Sequence, residues 1–110
     1  MAIERNVIVL ADTEEQMQGI IRGIEALDKE HKIGIMHGMY GLSEVDEITV
    51  ILAEVAGAVI IHPFSITPKE HPQGKTLKYF PLGVPNATRE QVIAYIKVEY
   101  PNLIENILKV

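Results

Sequence analysis

The chain has 110 residues, of which 47% are hydrophobic and 23% are charged, and its net charge is -5 at pH 7. This length predicts one domain with a single core, and the acidic balance argues against a nucleic-acid duplex as partner, because duplex phosphates bind basic surfaces. Cysteine is absent, which excludes disulfides, thiolate zinc sites and a cysteine nucleophile and fits a cytoplasmic location. We expect no membrane partner, because no signal-peptide pattern opens the chain and no apolar run reaches the ~18 residues of a membrane span.

The first elements are a buried strand and an amphipathic helix. Residues 7–10 are all apolar and mostly β-branched, which predicts the strand. Asp12 or Thr13 caps the helix that follows, and Thr13 with Gln16 fits a capping box. The apolar stripe of the helix that follows comprises Met17, Ile20, Ile21, Ile24 and Leu27. Gly19 and Gly23 are weak helix formers, and we expect their small size to allow close packing on a sheet.

Two more strands and a helix complete a repeating pattern. Residues 32–37 predict a strand, and residues 42–57 predict a helix with Ser43 as its cap and Gly57 as its terminator. Residues 58–62 predict the third strand. Alternating strands and helices at this spacing predict a parallel sheet with right-handed crossovers. The predicted fold class is therefore α/β, a Rossmann-like three-layer sandwich with a small, mostly parallel sheet, formed by the whole chain as a single domain.

A long connection follows over residues 63–86, with five prolines and two glycines, and such connections are typically functional or mobile. Residues 76–80 within it predict a short strand. Basic residues gather here and at the start of the next helix, namely Lys69, Lys75, Lys78 and Arg89. They indicate either a solvated face or a flap that closes over an anionic ligand. Tyr79 and Phe80 either stack on a base or pin the loop to the core.

The C-terminal part predicts two helices. Residues 86–100 form the first, with Asn86 or Thr88 as its cap, and it ends before Pro101. Residues 102–110 form the second. Its apolar stripe comprises Leu103, Ile104, Ile107 and Leu108. We expect this stripe to be exposed, where it suits a homodimer, a higher homo-oligomer or a partner groove.

Ligands of open parallel sheets bind at the carboxyl ends of the strands, so the loops at Asp12, after His37 and after His62 are the candidate site. The second loop has two interpretations. Gly38 and Gly41 let the backbone approach a ligand, and the helix start beyond them offers free N–H groups to an anion. The alternative is an ordinary glycine-containing turn with a serine cap.

The titratable residues near this edge also have more than one interpretation. His37 and His62 are each expected at a strand end, where they are hydrogen-bonded, contact a ligand, transfer a proton or pair on a metal. We expect no metal, because no third ligand set lies at a characteristic spacing. Glu44, Asp46 and Glu47 either stabilise the helix dipole or provide a carboxylate that binds a ribose hydroxyl or acts as a base.

A family resemblance emerges from these motifs. The "HG" of His37 and Gly38, the glycine loop after it and the later "VIIHP" at residues 59–63 resemble the SLOG superfamily of Rossmann-like nucleotide-binding proteins. Within it, the chain looks like a small bacterial and phage branch that carries a histidine–glycine loop and a histidine–proline pair. The resemblance spans about residues 6–65 and implies a nucleotide ligand at the glycine loop.

The chain departs from that branch at the residues that matter for catalysis. The aspartate of the branch's glycine–alanine–aspartate triplet falls on Glu44 without a gap and on Asp46 with a short insertion. Asn86 and Arg89 stand only loosely for its arginine–asparagine pair. The arginine with which the superfamily's enzymes hydrolyse an N-glycosidic bond has no counterpart here. The resemblance therefore implies binding more than turnover.

The sequence thus predicts a domain that binds a small nucleotide-type ligand at the carboxyl edge of its sheet, with no cofactor and no catalysis. The predicted ligand-binding residues are Asp12, His37, Gly38, Met39, Tyr40, Gly41, Ser43, Glu44, Asp46, His62, Pro63, Lys75, Lys78 and Arg89. One consistent role is sequestration of a nucleotide immune signal, as a phage-encoded sponge would perform. Two alternatives stay open: a nucleoside or nucleotide N-glycosidase that uses Glu44 or Asp46, and a structural or partner-binding protein with a vestigial site.

Overall fold

The computed structural model describes residues 2–41, 47–63, 76–79 and 87–110. The elements in chain order are β1 Arg5–Ala11, α1 Glu14–Leu27, β2 Ile33–Tyr40, α2 Glu47–Ala56, β3 Val59–Pro63, β4 Thr76–Tyr79, α3 Arg89–Glu99 and α4 Leu103–Lys109. This order confirms the predicted alternation of strands and helices, including the short strand inside the proline-rich connection.

The four strands form one sheet in the order β2-β1-β3-β4, and every pair is parallel. The chain leaves β1 toward β2 on one side and then returns past β1 to β3 on the other. Residues of α1 pack with Val7 and Val9, and Ala53 of α2 packs with Ile8 and Leu10, so the two helices lie on opposite faces of the sheet. Right-handed crossovers in opposite directions require this placement. The predicted α/β class, a Rossmann-like three-layer sandwich, is confirmed.

Alternation along the strands supplies a core to each face. Val7 and Val9 of β1 point to one face and pack with the buried residues of α1, α3 and α4. Ile8 and Leu10 point to the other face and pack with Ala53 of α2. A strand buried on both sides must be apolar at every position, which is why residues 7–10 form an unbroken apolar run.

The helix ends follow local sequence signals. Gly57 adopts φ +63°, and the N–H groups of Gly57 and Ala58 donate to the carbonyls of Glu54 and Ala53 at 3.4 and 2.8 Å. This pair of bonds is a Schellman motif, and it confirms Gly57 as the terminator of α2. The predicted cap of this helix, Ser43, lies outside the described residues.

The two capping boxes differ in one detail. At α3 the box of Thr88 and Gln91 is complete, with N–H to oxygen distances of 3.2 and 2.8 Å. At α1 the Thr13 hydroxyl accepts from the Gln16 N–H at 3.2 Å, but the Gln16 amide oxygen accepts from the N–H of Asp12 at 3.1 Å. The amide therefore reaches one residue further back than the predicted box and tethers the start of α1 to the end of β1.

The expectation that Gly19 and Gly23 pack on the sheet is wrong, because both lie against α3. A Cβ on Gly19 would overlap Val92, whose Cγ1 would be 2.6 Å away, and a Cβ on Gly23 would lie 3.2 Å from Ile96 Cγ2. The second contact lies four residues after the first on α1 and also four residues after it on α3, so the two helices run parallel. The glycines allow the two helices to approach closely.

The second strand is longer than predicted. β2 pairs with β1 from Ile33 to Tyr40, with a bulge at Met36, because Val7 pairs with Ile35 and Ile8 with His37. An inserted residue reverses which side chains face each side of the sheet. His37 therefore lies within the strand and not at its end, which corrects the prediction. The pairing with β1 carries the strand past the glycine at which the sequence indicated a loop.

The expectation of an exposed stripe on the terminal helix is also wrong. Leu103 and Ile107 of α4 are 6% and 0% exposed and belong to the core shared with α1 and α3, and Ile104 and Leu108 are partly buried against it. In the described part of the chain, an exposed apolar stripe lies on α2 instead. The sequence thus predicted correctly which residues form the apolar stripe of α4, but it predicted incorrectly that this stripe is exposed.

Candidate functional site

The carboxyl ends of the four strands form one edge of the sheet. Tyr40 pairs with Ala11 across β2 and β1, and Pro63 pairs with Tyr79 across β3 and β4. Extending the β1–β3 register from Val9 and Ile61 brings Ala11 beside Pro63. The last residues of all four strands therefore lie in one row. The sequence predicted this for the first three strands, whose following loops form the candidate site.

The centre of this row is the topological switch point of the sheet. β2 lies beside β1 on one side of this point, and β4 lies beside β3 on the other. In open parallel sheets, ligands generally bind at the carboxyl ends of the two strands where the order reverses in this way. Asp12 follows β1 directly at this point and is partly buried. Its backbone N–H is held by Gln16. This arrangement holds one carboxylate-bearing residue in a defined position at the switch point.

The starts of α1 and α3 lie side by side on the same edge. The N–H of Arg89 donates to the Glu15 carboxylate of α1 at 2.9 Å, and the N–H groups of Thr88 and Gln91 are taken by the capping box. These donors of α3 are therefore already satisfied by protein oxygens. Helix starts generally bind anions through free N–H groups, but at this helix start those N–H groups already donate to protein oxygens. We therefore do not expect a phosphate to bind here.

Arg89 lies at this edge with a guanidinium that is partly engaged. Its Nη2 is 3.2 Å from Glu90 Oε1, and the Arg89 side chain stays 47% exposed. The backbone N–H of Glu90, followed by the Arg89 guanidinium, lowers the pKa of the Glu90 carboxyl. Glu90 offsets the charge of the guanidinium, and the Glu15 carboxylate lies at the backbone N–H of the same residue. An anionic ligand would have to compete with these carboxylates for Arg89.

The two histidines do not share one mouth. His62 is 1% exposed, and its Nδ1 lies 3.0 Å from the carbonyl oxygen of Pro63, which identifies Nδ1–H as the donor because a carbonyl only accepts. His37 is exposed on β2, two strands away and two residues lower in register, at a backbone distance of roughly 12 Å. The prediction that both line the same mouth is corrected by this geometry.

The residues around the predicted glycine loop divide between packing and exposure. A Cβ on Gly38 would lie 2.9 Å from Met17 Sδ, so this glycine accommodates α1. Met39 accepts a hydrogen bond from Thr49 of α2 at 3.9 Å from oxygen to sulfur. Tyr40 is 48% exposed, and Gly41 adopts φ +74° with open space on its Cα. Tyr40 and Gly41 are thus the accessible part of this segment.

The remaining predicted residues are only partly within the described part of the chain. Lys78 lies on β4 beside His62 in register, which brings its backbone to the carboxyl edge. Four of the predicted ligand residues lie outside the described ranges, namely Ser43, Glu44, Asp46 and Lys75. Asn86, Lys69 and Phe80 lie outside them as well.

The described ranges hold neither a metal-binding cluster nor a membrane-spanning helix. No three side chains from His, Cys, Asp and Glu gather there in a way that could hold a metal ion. Among the helices of that part of the chain, none combines the length and the apolar composition needed to cross a membrane.

The opposite edge of the sheet carries a cleft of about 260 Å³ between the α1–β2 turn and α4. Asp28 lies in it, but its two carboxylate oxygens accept from the N–H groups of Lys32 and Ile33 at 2.8 and 2.9 Å. This aspartate fixes the entry into β2. Its role is structural, in contrast with Asp12 at the other end of the sheet.

Sequence reasoning missed one surface that carries a clear signal. Four apolar residues recur at three- and four-residue steps on α2 and are exposed, namely Ile48, Ile51, Leu52 and Val55. The spacing was readable from the sequence, but the second apolar side of this helix, formed by Val50 and Ala53, made the whole segment resemble a buried helix. Comparison with known proteins adds no assignment, because neither the protein-family models nor the curated proteins searched gave a match.

Proposed function

We propose that this chain binds a small nucleotide-type ligand in the crevice at the carboxyl ends of β1 and β3. The observation that carries the proposal is the strand order β2-β1-β3-β4, since doubly wound parallel sheets bind their ligands at the point where the order reverses. The motifs that resemble the SLOG superfamily fall on β2 and β3, on either side of β1. They support a nucleotide over other small molecules.

The described groups favour contact with the sugar or base at this point. Asp12 supplies a carboxylate, which accepts hydrogen bonds from ribose hydroxyls and repels phosphate. The start of α3 is occupied by Glu15 and its capping box. Gly41 follows β2 and Lys78 lies on β4, which are the opposite outer strands of the sheet, so a phosphate is then expected on one side of the crevice, either at Gly41 or at Lys75 and Lys78. Lys75 and Lys78 are two of the residues at which the sequence predicted neutralising charge.

The proposed activity is binding without turnover, which suits sequestration of a soluble nucleotide signal. The SLOG enzymes need an arginine that this chain does not match. An N-glycosidase would instead depend on Glu44 or Asp46, and the two functions differ in what becomes of the ligand. A sequestering protein releases the intact nucleotide on denaturation, whereas an N-glycosidase releases a free base and a ribose phosphate.

The test combines mass spectrometry with thermal unfolding. Purified protein is heated and filtered, the released small molecules are identified, and the unfolding temperature is measured with cyclic and linear adenine and guanine nucleotides. A ligand at 100 times its Kd adds about 2.7 kcal/mol to the free energy of unfolding, which raises Tm by roughly 10 °C in a chain of this length.

A matched pair of variants assigns the effect to the crevice. Asp12→Asn is expected to weaken binding at least ~10-fold, the equivalent of one charged hydrogen bond. Glu25→Gln removes the same charge from the exposed side of α1, away from the strand ends, and should bind like the parent chain. No released nucleotide and no stabilisation across the panel would contradict the proposal, and cleaved products would establish the N-glycosidase instead.

A further inference from the structure

Helix α2 is apolar on two sides. Its buried side contributes Thr49 and Ala53 to the sheet, while its outer side exposes a stripe of large aliphatic side chains. The stripe comprises Ile48 at 69%, Ile51 at 51%, Leu52 at 44% and Val55 at 83% exposure. A helix that is apolar all round is typically covered all round. Within the described residues nothing covers the outer side, so a partner surface is expected there.

The size of this α2 stripe fits a protein interface. Its four exposed fractions correspond to an apolar area on the order of 450 Å², which is comparable to the largest patch of a typical monomer and is often functional. Interfaces are roughly 60% apolar. A patch of this size is therefore sufficient for the core of an interface near the ~800 Å² that each partner buries in a standard complex.

The arrangement of the α2 stripe makes it complementary to itself. When two α2 helices lie antiparallel, a two-fold axis perpendicular to them can pass midway between Ile51 and Leu52. Each residue on one side of that point then lies opposite the residue that is equally far from it on the other side. This axis brings Ile51 opposite Leu52 and Ile48 opposite Val55, so every member of the stripe meets another member. Isologous interfaces of two-fold dimers require this kind of self-complementary surface.

The charges of α2 favour the same antiparallel arrangement. Its charged residues are Glu47 and Glu54. The two-fold axis sets Glu47 level with Ala56 and Glu54 level with Thr49, so no two carboxylates lie at the same level along the pair. A parallel alignment in register would set each glutamate level with its own copy along the two helices, where the like charges repel each other.

We propose that two copies of this chain form a dimer in which their α2 helices pack antiparallel along the α2 stripe. The start of α2 points to the carboxyl edge of the sheet, and its 10 residues span roughly 15 Å. The two carboxyl edges therefore lie at opposite ends of the helix pair. Each chain keeps its own proposed ligand crevice, and the α2 stripe contains none of the residues assigned to the ligand. The dimer should therefore form without ligand, and it can be tested independently of the proposed function.

Sedimentation equilibrium of the full chain, from micromolar to millimolar concentration, is the first measurement. The expected mass is twice 12.3 kDa, 24.6 kDa. Ile51→Glu and Val55→Lys should each return the 12.3 kDa monomer, with an unchanged circular dichroism spectrum. Val98→Lys changes an isolated residue of α3 that is 73% exposed, and it should leave the dimer intact.

A parent chain that stays monomeric, or a dimer that survives both α2 variants, overturns the proposal. The antiparallel arrangement is tested by cross-linking, because the chain has no cysteine of its own. A mixture of Ile48→Cys and Val55→Cys chains should oxidise to a covalent dimer several-fold more efficiently than either variant alone. An equal or greater yield from the single variants overturns the two-fold arrangement.

Discussion

The two faces of the sheet are covered to different extents, although both are lined by the same kind of apolar residue. Helices α1, α3 and α4 share one face, and their inner residues form a continuous core with Val7 and Val9. In the described part of the chain, α2 alone covers the opposite face, around Ile8 and Leu10. Helices α4 and α2 both carry apolar stripes, but only that of α4 is buried.

This contrast shows what an apolar stripe does and does not indicate. The stripe indicates that one side of a helix is more stable when it is covered than when it faces water. Which surface excludes the water depends on the neighbours that the topology provides. α4 follows α3 after the short turn at Pro101 and therefore joins a layer of helices. Among the described residues, α2 is the only element on the opposite face, so its outer stripe has no neighbour there.

The largest effect is expected on the covered face. Ile107→Ala removes a side chain of α4 that is fully buried, and such truncations leave a cavity that costs about 2–5 kcal/mol. Denaturant unfolding measures this loss. Val98→Ala on the exposed side of α3 serves as the control and should change the free energy of unfolding by less than ~0.5 kcal/mol. A loss below ~1 kcal/mol for Ile107→Ala would show that α4 is not packed as described.

Local signals in the sequence predicted much of this fold. The caps at Thr13 and Thr88 and the terminator at Gly57 each depend on residues within one helical turn, and all three are confirmed. The run at residues 7–10 predicted the central strand because burial on both faces leaves no polar position.

The errors arose where distant residues decide the structure. The extension of β2 to Tyr40 depends on pairing with β1, which no pattern within β2 itself encodes. The burial of α4 depends on α1 and α3 in the same way. At the site, the order of strands along the chain predicted that Asp12 and His62 lie at the carboxyl edge, and they do. The same reasoning placed His37 there, but the bulge at Met36 and the extension of β2 to Tyr40 leave His37 within the strand. Ligand binding at that edge stays a prediction.

The close contact between α1 and α3 gives the next effect in size. Gly19→Ala gains about 1 kcal/mol of helix propensity but inserts a Cβ into Val92, and overpacking of this kind costs about 1–3 kcal/mol. Gly23→Ala has the same gain and a milder contact with Ile96. We expect Gly19→Ala to destabilise the chain and Gly23→Ala to be close to neutral. Thermal unfolding of the two variants gives the order, and the reverse order would contradict the described helix contact.

The cap of α3 is expected to contribute less than the packing behind it. Thr88→Ala removes the hydroxyl that accepts from the Gln91 N–H, and loss of such a cap costs about 1 kcal/mol. Thr88→Ser keeps the hydroxyl and should retain nearly all of the stability. Urea unfolding of both variants measures the difference, and equal stabilities would mean that the capping box contributes nothing to this face.

The smallest effect is expected on the open face, and it is the one that separates the two faces most clearly. Val55→Thr replaces an exposed methyl group of α2 with a hydroxyl at nearly constant shape, so at concentrations where the chain is monomeric it should change the free energy of unfolding by less than ~0.5 kcal/mol. At higher concentration the dimer adds stability by mass action, and the variant should then fall behind the parent chain. Urea unfolding at several concentrations makes this comparison. A large loss at the lowest concentration would mean that the chain's own residues cover α2, because only an intramolecular contact is independent of concentration.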